Sequence, residues 1–350
     1  MPDNTRHWKQ SHGGGHTAGL FDSIMIKGLM LKNRLVMAPM ATHMATEDGE
    51  VTDRHIQYYM ARAKGGIGLI IVEHTYVSED GKMSRDQLGI YHDKLIAGLK
   101  RLSEAIHTHG AKAILQITHG GSRTKGEITG RQPAGPWSIP VPGDADIPRP
   151  LNVAEIREIE KAFGEAANRA IAAGFDGVEL HCAHGFLVCQ FLSPLVNRRN
   201  DAYGGSPEGR LRLPLEMIAE VRSQIGEDVP LFYRFGADNM VEGGLTREEA
   251  RVIAPRLEKA GVDVIDISGG LGGTGRNYST EEGYFIPLAQ TIKETVRVPV
   301  IGVGNITEAY YADRVIREGR VDLVALGRKL LSTPDFAEQA AKALGISLNQ

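Results

Sequence analysis

Short apolar runs rich in Val, Ile and Leu alternate along the chain with longer stretches whose apolar residues recur at helical spacing. The runs fall at Arg34–Ala38, Gly68–Val72, Ala111–Ile117, Gly177–Leu180, Pro230–Phe235, Val262–Ile267, Pro299–Val303 and Val321–Leu326. Helical patterns follow them at Asp53–Lys64, Asp93–His109, Val153–Ala173, Gly209–Ile225, Thr246–Ala260, Ile286–Val296, Glu308–Glu318 and Thr333–Leu344. Several helices open on a capping residue, as at Thr52 and Thr246. Many close at glycine, as at Gly65, Gly110, Gly174, Gly261 and Gly319. Strands that are apolar throughout are buried on both faces, which is the mark of a parallel sheet. Eight strand–helix units predict a closed (β/α)8 TIM barrel. A doubly wound open sheet is the alternative, but no switch-point fingerprint supports it. Gly270-Leu-Gly272-Gly-Thr-Gly275 has the right glycine spacing, yet no helix follows it, so it reads as a loop over the barrel mouth.

Two segments stand outside the repeat. Met1–Gly19 is polar, Gly-rich and aperiodic and reads as a mobile tail; residues 20–350 then form one barrel domain. Leu20–Leu31 opens that domain as a hairpin turning at Lys27-Gly28. The strand-three loop, Gly120 to Pro150, is too long for a simple connection and reads as a lid or wall.

A barrel of this kind works at the C-terminal ends of its strands. Those ends carry Pro39-Met40-Ala41, Glu73-His74, Gln116 and His119, His181 and His184, Arg234, Gly269-Gly270, Gly302 to Asn305, and Gly327-Arg328. The organising stretch is Gly177 to Arg212. Neighbouring strand positions face opposite sides, so His181 and His184 converge only if strand four stops near Cys182 or Ala183. Beyond them the chain reads as a long polar loop until the helical pattern resumes. An HxxH pair can also be half of a zinc site, but no Cys or His partner stands at zinc spacing, and no metal is expected. The glycines after strands seven and eight, with Thr307 opening a helix and Arg328 supplying a guanidinium, read as a phosphate cradle.

Composition narrows the partners. A net charge of −3 and 24% charged residues favour neither nucleic acid nor a membrane surface. Two cysteines in 350 residues fit a reducing compartment. The N-terminal residues lack the apolar core of a signal peptide, and no run is long enough to span a membrane, so the expectation is a cytoplasmic protein acting on a small molecule.

The stretches LFDSIMIKGLMLKNRLVMAPM, GLIIVE, LQITHGG, His181 to Arg212 and VDLVALGRKLL resemble the Old Yellow Enzyme family, over residues 20 to 336. The resemblance implies an FMN-dependent ene-reductase that takes hydride from NADH or NADPH and delivers it to an α,β-unsaturated carbonyl or nitro compound. It implies that Ala38, Pro39, Met40 and Ala41 line the flavin, that Gln116 bonds its pyrimidine edge, and that Arg234 lies by the N1–C2 carbonyl. It implies that Gly302, Gly304, Asn305, Gly327 and Arg328 hold the FMN phosphate, and that His181 and His184 polarise the substrate oxygen. It leaves monomer, dimer and other homo-oligomers open.

The sequence departs from the family pattern in three places. Phe186 replaces the usual tyrosine proton donor, with Tyr278 and Tyr284 as possible substitutes in the strand-six loop. Ala41 replaces a Cys or Thr that bonds the flavin. His43 and His74 add imidazoles near the substrate, as surrogate acids or packing residues. Phe186 therefore gives weight to a flavin-dependent dehydrogenase or amine demethylase running oxidatively. A barrel that only binds flavin or phosphate is the non-catalytic alternative, and the histidine pair argues against it.

Overall fold

The computed structural model describes residues 18–272 and 279–347; Tyr278 and most of the N-terminal tail lie outside these. Eight strands, β1 (Leu35–Met37), β2 (Leu69–Tyr76), β3 (Lys112–Thr118), β4 (Gly177–Cys182), β5 (Leu231–Gly236), β6 (Val264–Ser268), β7 (Val300–Gly302) and β8 (Leu323–Leu326), close into a barrel. Every neighbouring pair is parallel, and β8 closes on β1 through Val324↔Leu35 to Leu326↔Met37. The flanking helices are α1 (Asp53–Lys64), α2 (Ile96–His107), α3 (Val153–Ala172), α4 (Pro207–Ile225), α5 (Arg247–Lys259), α6 (Ile286–Lys293), α7 (Ala309–Arg317) and α8 (Phe336–Ala343). The (β/α)8 fold expected from the apolar periodicity is therefore present.

The barrel interior is filled by Val36, Leu69, Ile71, Ile114, Phe232, Val264, Ile301 and Leu323. The hairpin of Ile24–Ile26 and Leu29–Leu31 joins the same cluster through Ile26, Leu29 and Leu31 and plugs the N-terminal end. Lys27 and Gly28 both have positive φ, 45° and 84°, as a tight hairpin turn requires. With each such side chain worth about 1.5–3 kcal/mol on burial, this end is sealed, and ligands must enter at the strands' C-terminal end.

Three details of the structure shape the mouth, and the first two differ from the sequence expectation. β2 runs on to Tyr76, with a register break between Val72 and Thr75. A bulge re-aims side chains, and here it falls on Glu73 and His74. The segment after β4 is not a long polar loop: Leu187–Leu192 is a short helix with all six residues buried, and α4 starts at Pro207, capped by Ser206. LVCQFL is too short to show a helical period, which is why the pattern did not betray it. The strand-three loop has structure of its own: a turn at Gly121–Arg123, a helical turn at Gly126–Thr129, and the pair Ala134–Gly135 with Arg149–Pro150.

Candidate active site

β4 carries Glu179 and His181 on its interior-facing parity and ends at Cys182. His184 and Gly185 then adopt left-handed φ of 57° and 75° and turn the chain back on itself. The strand thus stops where convergence of the two histidines demands. Their ring centroids are 5.2 Å apart and nearly perpendicular. Gly185 is obligatory: a Cβ there would meet the Leu271 carbonyl oxygen at 2.1 Å, in a conformation L residues avoid. Arg123 donates from Nη1 to the His184 carbonyl at 2.7 Å and is anchored by Asp144 at 3.1 Å. His184 Nε2 bonds Ser268 Oγ on β6 at 2.7 Å. The Ala183 N–H donates to His181 Nδ1, so the proton of a neutral His181 sits on Nε2. Burial holds both imidazoles well below their ordinary pKa, so both are neutral at pH 7.

Phe186 packs against His181 with centroids 4.1 Å apart and against His74 at 5.4 Å. The third imidazole is therefore inside the cluster, 6.4 Å from His181. Its protonation is fixed from behind. The Met83 N–H donates to Gln87 Oε1, which orients the amide so that Gln87 Nε2 donates to His74 Nδ1 at 2.8 Å. Nδ1 is thus an acceptor, and the proton lies on Nε2. Burial also lowers the His74 pKa. A neutral imidazole locked this way donates a hydrogen bond but not a proton. His43 sits at the rim instead, largely exposed and paired to Asp86 at 2.9 Å.

Below the imidazoles lies a buried polar layer. Gln116 Nε2 donates to Glu179 Oε1 at 2.7 Å, and Arg234 Nη1 donates to Asp266 Oδ2. The strand registers His181↔Arg234 and Asp266↔Arg234 bring these groups together. Arg234 Nε is buried without a hydrogen-bond partner. Gln116, with its NH2 turned to Glu179, presents Oε1 as an acceptor. An orphaned cationic donor beside a committed acceptor fits the alternating carbonyl, N–H and carbonyl of a flavin pyrimidine edge. The residues present therefore fit FMN.

The loop after β1 forms one wall. Ala38 is buried, Pro39 and Met40 are half-buried, and Ala41 is exposed. Glu73 anchors this loop by accepting from the Thr42 N–H at 2.9 Å and its hydroxyl at 2.5 Å, with His55 at 3.2 Å. Although burial raises the Glu73 pKa, these donors outweigh it and leave it lowered.

The far side is more mixed. A Cβ on Gly327 would lie 2.9 Å from Met40 Sδ, so this glycine lets the loops after β8 and β1 meet. Arg328 is exposed and has no ion-pair partner among the described residues. Gly302 packs against Ile286 and Val321, while Gly304, at φ 131°, lets Gly283–Phe285 approach its backbone. Asn305 donates to the Thr280 carbonyl at 2.7 Å. The N-terminus of α7, expected to be open to phosphate, already holds an anion: the Thr307 and Glu308 N–H groups donate to Glu282 Oε1 at 2.6 and 2.7 Å. A carboxylate from the preceding loop therefore occupies the turn that enters the helix, just ahead of its first residue. Tyr284 is half-buried, close enough to Arg328 and Arg234 for both to oppose the rise that burial imposes on its pKa.

Sequence reasoning passed over Glu179, Asp266, Ser268, Gln87 and Arg123. For the first three a signal existed. GVELH and VIDIS each place an acid inside an apolar strand, two residues before a polar one on the same face. Gln87 and Arg123 lie on loops, where spacing carries no such code. Among the described residues no His, Cys, Asp and Glu cluster could hold a metal, and no helix is long and apolar enough to cross a membrane.

Residues 19–346 match the model of the NADH:flavin oxidoreductase / NADH oxidase family. The NADH oxidase of Thermoanaerobacter brockii is 46% identical over 337 residues, which is 93% of this chain and 51% of that protein. The NADPH dehydrogenase of Geobacillus sp. (strain WCH70) is 41% identical over 94% of this chain and 96% of its own length. Among solved structures, a 2-naphthoyl-CoA reductase complex superposes with a TM-score of 0.89 at 29% identity, over 93% of this chain and 52% of that one. Morphinone reductase gives 0.82 at 29% identity over 96% and 92%. The chain thus spans about half of some relatives and nearly all of others. It belongs to the NADH:flavin oxidoreductase / NADH oxidase family.

Proposed function

We propose that this barrel reduces the double bond of an α,β-unsaturated carbonyl or nitro compound with electrons from NAD(P)H. The observation that carries the reading is the cluster of His181, His184 and His74, all held neutral and all within 6.4 Å of a neighbour. FMN held at this mouth would supply the hydride chemistry that links a nicotinamide to the substrate's β-carbon. Negative charge then develops on the substrate oxygen, and preorganised donors stabilise it. One such donor is typically worth about 3 kcal/mol. His181 offers Nε2–H. His184 offers Nδ1–H if the Ser268 hydroxyl donates to its Nε2, and His74 offers Nε2–H as a third donor. Gln116 and Arg234 would bind the pyrimidine edge of FMN, Ala38 to Ala41 would line its ring, and Gly302, Gly304, Asn305, Gly327 and Arg328 would hold its phosphate.

The proton for the α-carbon has no donor in Phe186, and the Gln87 lock removes His74 from that role. We assign that role to Tyr284, which is half-buried and near enough to Arg234 and Arg328 for their charges to oppose the rise that burial imposes on its pKa; solvent is the other source. Anaerobic stopped-flow at the flavin absorbance tests the reading. NADPH or NADH should bleach the yellow protein, and cyclohexenone should restore the colour. No bleaching by either nicotinamide, with bleaching by an amine, would replace it with the oxidative reading that Phe186 favours.

A further inference from the structure

Glu179 and Asp266 are fully buried carboxyl groups on alternate strands of the barrel, the arrangement that places side chains in one interior layer. Each has one oxygen with a partner. Glu179 Oε1 accepts from Gln116, and Asp266 Oδ2 accepts from Arg234. Each has one orphan: Glu179 Oε2 and Asp266 Oδ1 are buried with no donor. The strand between theirs, β5, carries Arg234 in register with both His181 of β4 and Asp266 of β6, so the two carboxyl groups flank one residue, and each perturbs the other. Two ionised carboxylates there would leave two unmet acceptors, and one cation against two anions in the barrel core. Both faults disappear with one proton.

We propose that Glu179 is a protonated carboxylic acid that donates from Oε2 to Asp266 Oδ1, and that this shared proton sets the charge beneath the flavin. Gln116 then donates to the acid's carbonyl oxygen, and Asp266 alone balances Arg234. The layer is neutral overall, and the remaining Arg234 donors are left for a cofactor. The charged and titratable neighbours agree with this account. Burial and the Asp266 charge push Glu179 well above the usual carboxylate range, against the opposing Arg234 charge and the Gln116 hydrogen bond. His181 above the layer is neutral, and Glu73 on β2 is already committed to Thr42 and His55. Loss of the proton would put a net negative charge under the edge where a reduced flavin carries its own. The pair is therefore a positioning device for charge, separate from the substrate donors, although its role rests on FMN occupying this mouth.

The test is infrared spectroscopy of the FMN-bound protein, with the flavin potential measured against pH, in wild type and Glu179→Gln. Wild type at neutral pH should show the carbonyl band of a buried carboxylic acid, shifted in D2O and absent from the variant. Because glutamine mimics a neutral acid, the variant's potential should equal that of wild type at neutral pH. At high pH, where the shared proton leaves, wild type should fall below the variant. Absence of the acid band, with a variant potential above wild type at neutral pH, would show both groups ionised and overturn the proposal. The wild-type band alone decides the protonation if the variant fails to fold. Neither readout involves an alkene, so the substrate reading and this one fail independently.

Discussion

Replacing Phe186 by tyrosine puts a phenol where the family pattern has its proton donor, and the structure allows the gain to be sized. Phe186 is the N-cap of the helix Leu187–Leu192, and its N–H donates to the Ala183 carbonyl at 3.1 Å, so its backbone is fixed. Its ring lies 4.1 Å from that of His181, the proposed oxygen donor, so a hydroxyl added to it stays beside the carbon next to that oxygen. General acid catalysis from a placed group is worth about 10²–10⁴-fold, or ~2.7–5.5 kcal/mol of barrier. Solvent or Tyr284 already supplies part of this in the native site, so we expect the lower end, about 100-fold. The gain should fall on one half-reaction alone. In anaerobic stopped-flow, reduction by NADPH should be unchanged and reoxidation by cyclohexenone about 100-fold faster, with a changed solvent isotope effect. The cost is local: an unmet buried hydroxyl would remove about 1–3 kcal/mol of stability. Equal reoxidation rates in both proteins, with the variant folded, would refute the idea that proton delivery limits this site.

Three other perturbations follow from the same geometry. Gly185→Ala should cost ~1–2 kcal/mol for left-handed backbone and a further ~1–3 kcal/mol for the overlap with Leu271, seen as a lower denaturant midpoint and a large loss of reoxidation rate. Gln87→Leu should free His74 Nδ1; long-range ¹H–¹⁵N spectra should show wild-type His74 as the Nε2–H tautomer and the variant as a mixture, and its pKa should move. The buried neutral histidines also make stability depend on pH. Their folded pKa lies below the unfolded value of about 6.5, so the unfolded chain binds more protons there, and this stability is full above about pH 6.5 and lost as pH falls toward the folded pKa. Denaturation midpoints should decline in that window, and less steeply in His181→Gln; identical pH profiles for the two proteins would contradict the assignment.

The barrel was legible because its code is repetitive. Strand runs such as Gly177–Leu180 and Pro230–Phe235 are buried on both faces, so their apolar content alone marks them. The strand ends then located the mouth, and the histidine pair met there as its spacing required. What escaped was set by tertiary geometry. The bulge at Glu73 and His74, the Glu282 carboxylate on α7 and the Gln87 lock on His74 each join residues distant in sequence. Tyr278, named as a surrogate acid, lies outside the described residues. The acid pair was visible as letters but not as chemistry, because two lone acids in separate apolar strands show their meaning only once they touch.

Phe186 bears on the direction of catalysis less simply than the missing hydroxyl suggests. A group that protonates the α-carbon during alkene reduction must, by microscopic reversibility, remove that proton during desaturation of a saturated ketone. Its absence slows both directions by the same factor and leaves their equilibrium untouched. Donors to the substrate oxygen are equally indifferent to direction, since both reactions pass through one transition state. Phe186 therefore does not favour ketone oxidation over enone reduction. It favours only reactions needing no carbon acid, such as hydride removal from an amine carbon, whose electrons come from nitrogen. Those reactions build positive charge, and the mouth is poorly made for it: burial first, and the Arg234 and Arg123 charges after it, lower the pKa of both His181 and His184, so the site disfavours a cation there. An amine substrate would meet that site with no carboxylate among the strand-end groups free to offset it, because Glu73 is bound to Thr42 and His55 and Asp266 to Arg234. The electrostatics thus weigh toward the proposed oxyanion-forming reaction, whose speed the Phe186→Tyr comparison reads.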